Sequence, residues 1–279
     1  MLPTPEKLEQ KVVELVNLPT LPGILKKIST MTESKETTAT DVAEIISTDQ
    51  VLSAKVLRLV NSPVYGFPGR ISSIRHAVVL LGFNTLKGMV LGTAVFDAIG
   101  KHSGMWEHSL GCALLSRRMA KEMDLPEVEE LMIAGLLHDL GKVVLSYLYP
   151  QEYDSAVEKA KATGTHIRDI EREVFGVDHT RVNRWLSAEW HFPIRLSDPL
   201  VYHHMTDRAK GAADATAVVH VADILARGMG YGFTGDLTMP ELSHESFQSL
   251  GISFERIDNI LEDVEMEYGA GVDIFEMGE

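Results

Sequence analysis

The sequence predicts an all-α protein. Apolar residues recur at helical spacing through most of the 279 residues, and strand-like alternation of apolar and polar residues is nearly absent. The chain is 45% hydrophobic and 24% charged, a composition that allows a substantial buried core. We therefore expect one or two folded helical domains.

The first 100 residues form the N-terminal helical region. Residues 4–18 begin with Thr-Pro, which suits a helix cap followed by a first-turn proline. Two further helices are predicted within residues 37–62, and the helical pattern resumes over residues 72–99. Residues 61–72 contain two prolines and two glycines within twelve positions, which predicts a loop.

The remainder divides into a histidine-rich helical region, residues 101–230, and a C-terminal helical appendage, residues 231–279. Helices are predicted over residues 107–123, 126–148, 152–164, 179–191, 197–205 and 213–229. The last stretch, from residue 246, predicts one or two acidic amphipathic helices followed by a frayed end.

Charge and composition disfavour two classes of partner. The formal net charge of −14 argues against a general nucleic-acid binder, because such affinity comes mainly from Lys and Arg contacts to phosphates. The N-terminus lacks a basic region leading into an apolar stretch, and no uncharged run reaches the roughly 18 residues of a membrane span. The single cysteine, Cys112, is consistent with a reducing compartment. A cytoplasmic location without membrane contact is the expectation.

The histidines point to a metal site. Eight of the eleven lie between His108 and His220, several of them beside aspartate or another histidine. Imidazole with carboxylate is a ligand mixture that suits divalent transition metals. The candidate ligands are His108, His138, Asp139, His179, His203, His204 and Asp223.

His138 and Asp139 carry the strongest signal, because they end the apolar run "LMIAGLL" within the segment "LLHDLGK". Burying two ionisable groups is costly unless hydrogen bonds or a metal compensate them. Neighbouring helical residues point about 100° apart, so both can reach one metal only from a helix end or over its top. Gly141 provides a site for such a distortion.

The other candidates are weaker individually. His108 alone resembles a capping or partly exposed histidine, and His179 fits a helix start as well as a ligand. Asp223 interrupts an apolar helix, where an unpaired carboxylate would be costly. His220, one turn earlier, fits either a partner of a ligand or an additional ligand. Lys142 fits either a phosphate contact or a solvated surface position.

The order of His108, the His138–Asp139 pair and distant Asp223 resembles the HD superfamily of metal-dependent phosphohydrolases, and "LLHDLGK" is a close match to its central motif. The added His179 and the "YHH" ending at His204 resemble the HD-GYP cyclic di-GMP phosphodiesterases and HD-type diadenosine tetraphosphate hydrolases. This resemblance implies a dinuclear, often iron, site.

The N-terminal half is similar to the HDOD proteins, the HD-related output domains of bacterial signalling. The resemblance rests on "NLPTLPGILKKISTM", "VAEIISTDQVLSAKVLRLVNSPVYG" and "ISSIRHAVVLLGFNTLKGMVL", and it spans roughly residues 18–229. It implies an all-helical protein in which an N-terminal bundle packs on an HD-like core. HDOD domains commonly lack the full ligand set and act as regulatory modules, whereas this chain keeps every position.

Two departures narrow the resemblance. "HHMTDRAKGAADA" replaces the Asp-Gly-x-Gly-Tyr-Pro segment of HD-GYP proteins, which disfavours that activity. Gly104 stands where trinuclear relatives place a glutamate, so two metals are expected rather than three.

Two functions of different classes follow. The first is a bacterial signalling HDOD protein with a dinuclear phosphohydrolase site acting on a nucleotide or other phosphoester. Asp139 would bridge two ions, with His138, His179 and Asp223 on one and His108, His203 and His204 available to the other, while Lys142 orients a phosphate. Fe or Mn is favoured by the resemblance, with Zn, Ni and Co as alternatives. The second is a non-catalytic module with a structural or vestigial metal site that acts through signalling partner proteins.

Overall fold

Helices make up the regular structure of the computed structural model, which describes residues 3–16, 39–47, 50–61, 71–82, 84–90, 104–235 and 237–276. Within these ranges no strand occurs, and the predicted all-α class is confirmed. The helices are α1 (Pro5–Val16), α2 (Ala39–Ser47), α3 (Gln50–Val60), α4 (Ile74–Leu81), α5 (Met105–Glu122), α6 (Val128–Leu137), α7 (Leu140–Leu148), α8 (Pro150–Thr163), α9 (Ile167–Phe175), α10 (His179–Glu189), α11 (Ile194–Tyr202), α12 (Ala213–Gly228), α13 (His244–Leu250) and α14 (Phe254–Glu276), with a 3-10 turn at Thr206–Arg208. Residues 84–90 are also helical. The motif at 17–31 and most of the predicted loop at 61–72 lie outside the described residues.

The single helix predicted over residues 126–148 is wrong, because the chain breaks between α6 and α7 at His138 and Asp139. In a continuous helix the His138 carbonyl would accept from the backbone N–H of residue 142. Instead it accepts from the Asn183 side-chain amide, whose oxygen accepts the Gly141 N–H at 2.7 Å. Asn183 thus replaces two helical hydrogen bonds and stabilises the break.

The helices that follow residue 104 pack around this break. Helix α5 packs on α6 and α12, α6 packs on α11, and α7 packs on α10. Gly135 lets α5 and α6 approach closely, since a Cβ there would lie 2.7 Å from the Cys112 carbonyl oxygen. Most of the buried apolar residues form one cluster from Leu8 in α1 to Val264 in α14, and a second, smaller cluster lies between α8 and α9.

Residues from the predicted N-terminal region contact the histidine-rich region directly. Helix α1 packs against α10. Asn84 donates to Glu130 Oε1 at 3.0 Å, and the buried Lys87 ammonium donates to the Trp190 carbonyl. The boundaries 1–100, 101–230 and 231–279 stay predictions.

One long apolar stretch of the described residues, Val128–Leu148, covers α6 and α7. By length and composition it could cross a membrane, yet 89% of its apolar window is buried inside the protein. Such burial is the pattern of core helices, and the stretch contains the His138–Asp139 pair.

Candidate metal centre

The structure brings all seven predicted ligands together in two adjoining clusters. The first cluster is His108, His138 and Asp223; the second cluster is Asp139, His179, His203 and His204. Within each cluster the ligand atoms lie within 4.8 Å of one another. All of these side chains are buried except His204, which is partly exposed. The grouping differs from the expected one, because His138 and Asp223 join His108 rather than His179.

The first cluster forms where α5, α12 and the end of α6 meet. Asp223 Oδ1 lies 3.0 Å from His108 Nε2 and 3.7 Å from His138 Nε2. Arg227, one turn after Asp223 in α12, donates from Nε to the same oxygen at 3.0 Å. His138 donates from Nδ1 to the Gly135 carbonyl at 2.7 Å, which leaves Nε2 as the nitrogen that faces the cluster.

The second cluster forms between the start of α7, the start of α10 and the end of α11. Asp139 Oδ1 lies 3.5 Å from His179 Nε2 and 3.9 Å from His203 Nε2. His203 Nδ1 donates to the Pro199 carbonyl at 3.0 Å, and the His203 and His204 rings are 4.1 Å apart between centroids. The clusters adjoin at the helix break, where His138 Nε2 is 3.4 Å from Asp139 Oδ2.

A buried carboxylate orients His179. Glu171 Oε2 accepts from His179 Nδ1 at 2.6 Å and from the His179 backbone N–H at 2.9 Å. The Tyr153 hydroxyl donates to the other carboxylate oxygen at 3.2 Å. A carboxylate on one ring nitrogen fixes the tautomer and makes the other nitrogen a better metal ligand. Glu171 therefore directs the His179 Nε2 lone pair towards Asp139.

The close packing of α7 on α10 depends on Gly141. A Cβ at this position would lie 2.2 Å from the His179 carbonyl oxygen, so any side chain would push the two helices apart. Asn183, fully buried in α10, also donates to the Leu200 carbonyl of α11 at 2.9 Å. These contacts hold together the three helices that supply the second cluster.

Lys142 is fully buried, and its ammonium donates to Asp139 Oδ2 at 2.7 Å. The solvated surface position considered for this lysine is therefore wrong, because the turn after the helix break points its side chain into the centre. Burial alone would raise the pKa of Asp139, but the charges of Lys142 and His138 hold it well below the usual range. The phosphate-orienting role of Lys142 stays a prediction.

Most of the pKa shifts in the two clusters favour the forms that coordinate metals, and His138 is the exception. Burial would lower the pKa of His138, but the neighbouring Cys112 and Asp139 hold it well above 6.5, so a metal at its Nε2 would displace a proton. Burial would raise the pKa of Asp223, but the Arg227 guanidinium and the His108 hydrogen bond hold it well below its usual range. Burial, reinforced by neighbouring histidines, holds the pKa values of His203 and His204 well below 6.5. Ionised carboxylates beside neutral imidazoles are the forms that coordinate metals.

His220 supports the centre from outside. Its Nδ1 donates to the His203 carbonyl at 2.7 Å, and its Nε2 accepts from the Ser243 backbone N–H at 2.9 Å. Because both ring nitrogens are engaged by the backbone, the structure favours the first of the two roles considered, a partner of a ligand.

The donor set fits a transition-metal centre. Among the described residues, five buried polar atoms of the two clusters have no hydrogen-bond partner: His108 Nδ1, His138 Nε2, Asp139 Oδ1, His179 Nε2 and His203 Nε2. Leaving such atoms unsatisfied in a protein interior is costly. Nitrogen and carboxylate donors gathered without partners are the chemistry that a divalent cation satisfies.

The residues that support the ligands were not predicted from the sequence. Glu171 and Asn183 stand in ordinary amphipathic helices, where a single polar residue carries no distinctive pattern. Arg227 was detectable, because a position four residues after Asp223 shares its helix face. His166, which was not among the predicted ligands, lines a cavity next to the second cluster together with His204.

Comparison with known proteins places this geometry in a family. The HDOD domain matches residues 18–206, which include every cluster residue except Asp223. An HDOD domain protein of unknown function from Geobacter sulfurreducens has a solved structure that is 26% identical, with a TM-score of 0.73 and coverage of 96% of this chain and 97% of that one. A candidate phosphohydrolase from Shewanella amazonensis SB2B is 25% identical, with a TM-score of 0.68 and 96% coverage of each chain.

A curated relative, an uncharacterized protein of Treponema pallidum (strain Nichols), is 24% identical over 204 residues. The match covers 71% of this chain and 40% of the relative's length. The HDOD match takes in the helices that supply the second cluster and those that carry His108 and His138, but not α12, which carries Asp223. The chain belongs to the HDOD family, which is related to the HD-type metal-dependent phosphohydrolases.

Proposed function

We propose that this protein is a metal-dependent phosphohydrolase that cleaves a phosphoester, using two divalent transition ions, with Fe or Mn favoured. The observation that carries the proposal is that both clusters contain buried nitrogen or oxygen atoms with no hydrogen-bond partner among the described residues. A relic of a lost site would be expected to satisfy these atoms by hydrogen bonds or to replace them with apolar groups.

Each of the two clusters would hold one metal ion. His108, His138 and Asp223 would hold one ion, and His179, His203 and His204 the other. Asp139 offers an oxygen to each side, because Oδ2 faces His138 while Oδ1 faces His179 and His203. When bound, such ions supply Lewis acidity that neutralises phosphoryl charge and promotes ionisation of water.

The surrounding side chains fix the charge and the orientation of the metal ligands. Lys142 and Arg227 each bind a ligating carboxylate and keep it ionised. Glu171 sets the tautomer of His179. In the reaction, a water oxygen bonds to phosphorus, the bond from phosphorus to the ester oxygen breaks, and that oxygen takes a proton. The products are an alcohol and phosphate.

The test combines metal analysis with turnover. We expect about two equivalents of Fe or Mn in protein purified without chelator or metal-binding tag, and hydrolysis of p-nitrophenyl phosphate. Asp139→Ala should lose both metal and activity, whereas His76→Gln, a change at an exposed histidine of α4, should lose neither. Full metal content without hydrolysis of any phosphoester or nucleotide tried would contradict the proposal.

A second candidate is a cytoplasmic signalling module in which the metal centre is structural and output passes through partner proteins. The observation that favours it is the burial of six of the seven candidate ligands, which restricts access to His204 and its surroundings. This candidate predicts bound metal, no turnover, and a loss of stability when the metal is removed.

A further inference from the structure

A cavity of about 210 Å³ adjoins the second cluster. His204, the partly exposed ligand, forms one wall, and Arg168 and Arg227 form others. His166, just before α9, completes the basic side of the lining. The formal net charge of the chain is −14, yet the lining of this small cavity contains two arginines and three histidines, the third of which is His220. The cavity lies beside the candidate metal ligands.

We propose that this cavity binds the terminal phosphate of a phosphomonoester, and that Arg168 recognises it. The proposal rests on the proposed function, because it names the substrate class of the same centre. A phosphate held there would lie against His204, at the edge of the second cluster.

Arg168 lines the cavity next to His204, and its protein contacts leave several guanidinium N–H donors for a ligand. Its Nη1 donates to the His204 carbonyl at 3.4 Å, which ties the guanidinium to a residue of the second cluster. Its Nε lies 3.5 Å from Asp178 Oδ2, an oxygen that Arg172 Nη2 already contacts at 2.5 Å. A guanidinium has five N–H donors in a planar fork that matches phosphate, and these two long contacts use few of them.

Arg227 and His166 complete the cationic side. Arg227 carries the charge that balances Asp223, and its Nη1 donates to the Thr238 carbonyl at 3.3 Å. Thr238 Oγ1 in turn lies 2.8 Å from His166 Nδ1, so the segment after residue 237 fixes the imidazole and leaves Nε2 as its remaining polar atom. Both side chains are therefore positioned before any ligand binds.

The two acidic residues of the lining do not cancel this charge. Asp169 is exposed and accepts from Arg172 Nη1 at 3.2 Å, so its charge is already compensated. Glu241 is exposed at the rim, where solvent screens it. The inner wall is thus left to Arg168, Arg227 and the histidines.

Size and charge favour a monoester over a dinucleotide. Pockets for drug-sized ligands typically enclose about 300–1,000 Å³, so a cavity of about 210 Å³ takes a phosphate and little more. A terminal phosphate carries up to two negative charges and three non-bridging oxygens, whereas a phosphodiester linkage carries one charge and two such oxygens, so a monoester accepts more of the N–H donors of Arg168. The organic part of the substrate would extend past Glu241 into solvent.

The experiment measures binding of inorganic phosphate to the metal-containing protein by titration calorimetry. Arg168→Gln should weaken the phosphate Kd by about tenfold or more, as loss of a charge-assisted contact requires. The control Arg184→Gln, which removes an exposed arginine whose contact is the Tyr202 hydroxyl, should change it less than twofold. Metal content is measured in each variant and should be equal.

If Arg168→Gln does not fold, His166→Asn is the second variant, with the same expected direction. An unchanged phosphate Kd in a folded, metal-containing variant would overturn the phosphate site even if the wild type hydrolyses phosphoesters. Arg168-dependent phosphate binding without turnover would support the site and overturn the phosphohydrolase function instead. With turnover, Arg168→Gln should raise KM for p-nitrophenyl phosphate more than for bis-p-nitrophenyl phosphate; an equal effect on both would overturn the monoester preference.

Discussion

The ammonium of Lys142 and the carboxylate of Asp139 form a 2.7 Å contact in the middle of the protein, with both side chains buried. The contact occupies Asp139 Oδ2, while Oδ1 has no hydrogen-bond partner within the described residues. Lys142 thus fixes the carboxylate through Oδ2, which keeps a second lone pair, while Oδ1 faces the second cluster. A buried pair of this kind sets stability as well as chemistry.

Lys142→Met should destabilise the metal-free protein by about 3–5 kcal/mol, because it leaves an uncompensated buried carboxylate. Urea unfolding of metal-free protein measures the change. The double variant Asp139→Asn with Lys142→Met should lose less unfolding free energy than the two single variants lose together, since neither charge is then left unpaired. Additive losses would show that the two side chains do not stabilise each other.

Glu171→Gln should weaken metal binding by about 10–100-fold, because the amide is a poorer acceptor for the His179 Nδ1 proton. Competition with a chelating dye gives the metal Kd. Tyr153→Phe removes the longer, 3.2 Å contact to the same carboxylate and should reduce metal affinity less than Glu171→Gln does. Equal metal affinity in wild type and Glu171→Gln would mean that the His179 tautomer does not depend on Glu171.

Gly141→Ala should separate α7 from α10, since its Cβ would meet the His179 carbonyl oxygen at 2.2 Å. We expect a loss of about 1–3 kcal/mol in unfolding free energy and weaker metal binding. Gly228→Ala is the matched control, because a Cβ there meets no atom within 4 Å. Similar thermal unfolding midpoints for the two variants would contradict the close packing at Gly141.

Lys87→Met should stabilise the protein at pH 7 by about 1–2 kcal/mol. Burial lowers the pKa of Lys87 from 10.5 to about 8, so below pH 8 the folded protein holds a charge that the interior disfavours. Between about pH 8 and 10.5 the unfolded chain binds the extra proton, and wild-type stability rises with pH. The difference in unfolding free energy between Lys87→Met and wild type should therefore shrink over this range. Urea unfolding at pH 7 and pH 9.5 measures it, and an equal difference at both pH values would contradict the lowered pKa of Lys87.

The predicted helical class and candidate ligands came from local information. Helical spacing of apolar residues is set by 3.6 residues per turn and is visible within a few turns of sequence. The His138–Asp139 pair was visible because two ionisable groups at the end of an apolar run are costly without compensation. These signals do not depend on knowing which helices touch.

Only the tertiary structure decided how the ligands are grouped and what supports them. His108 and Asp223 are 115 residues apart in sequence and 3.0 Å apart in space, so their pairing depends on how α5 and α12 pack. The break at His138 depends on Asn183, which replaces two helical hydrogen bonds from another helix. Lys142 was placed in the interior by that break, not by its neighbours in sequence. Hydrogen bonds and charges act over a few ångströms in space, and a single polar residue leaves no periodic trace from which such contacts could be predicted.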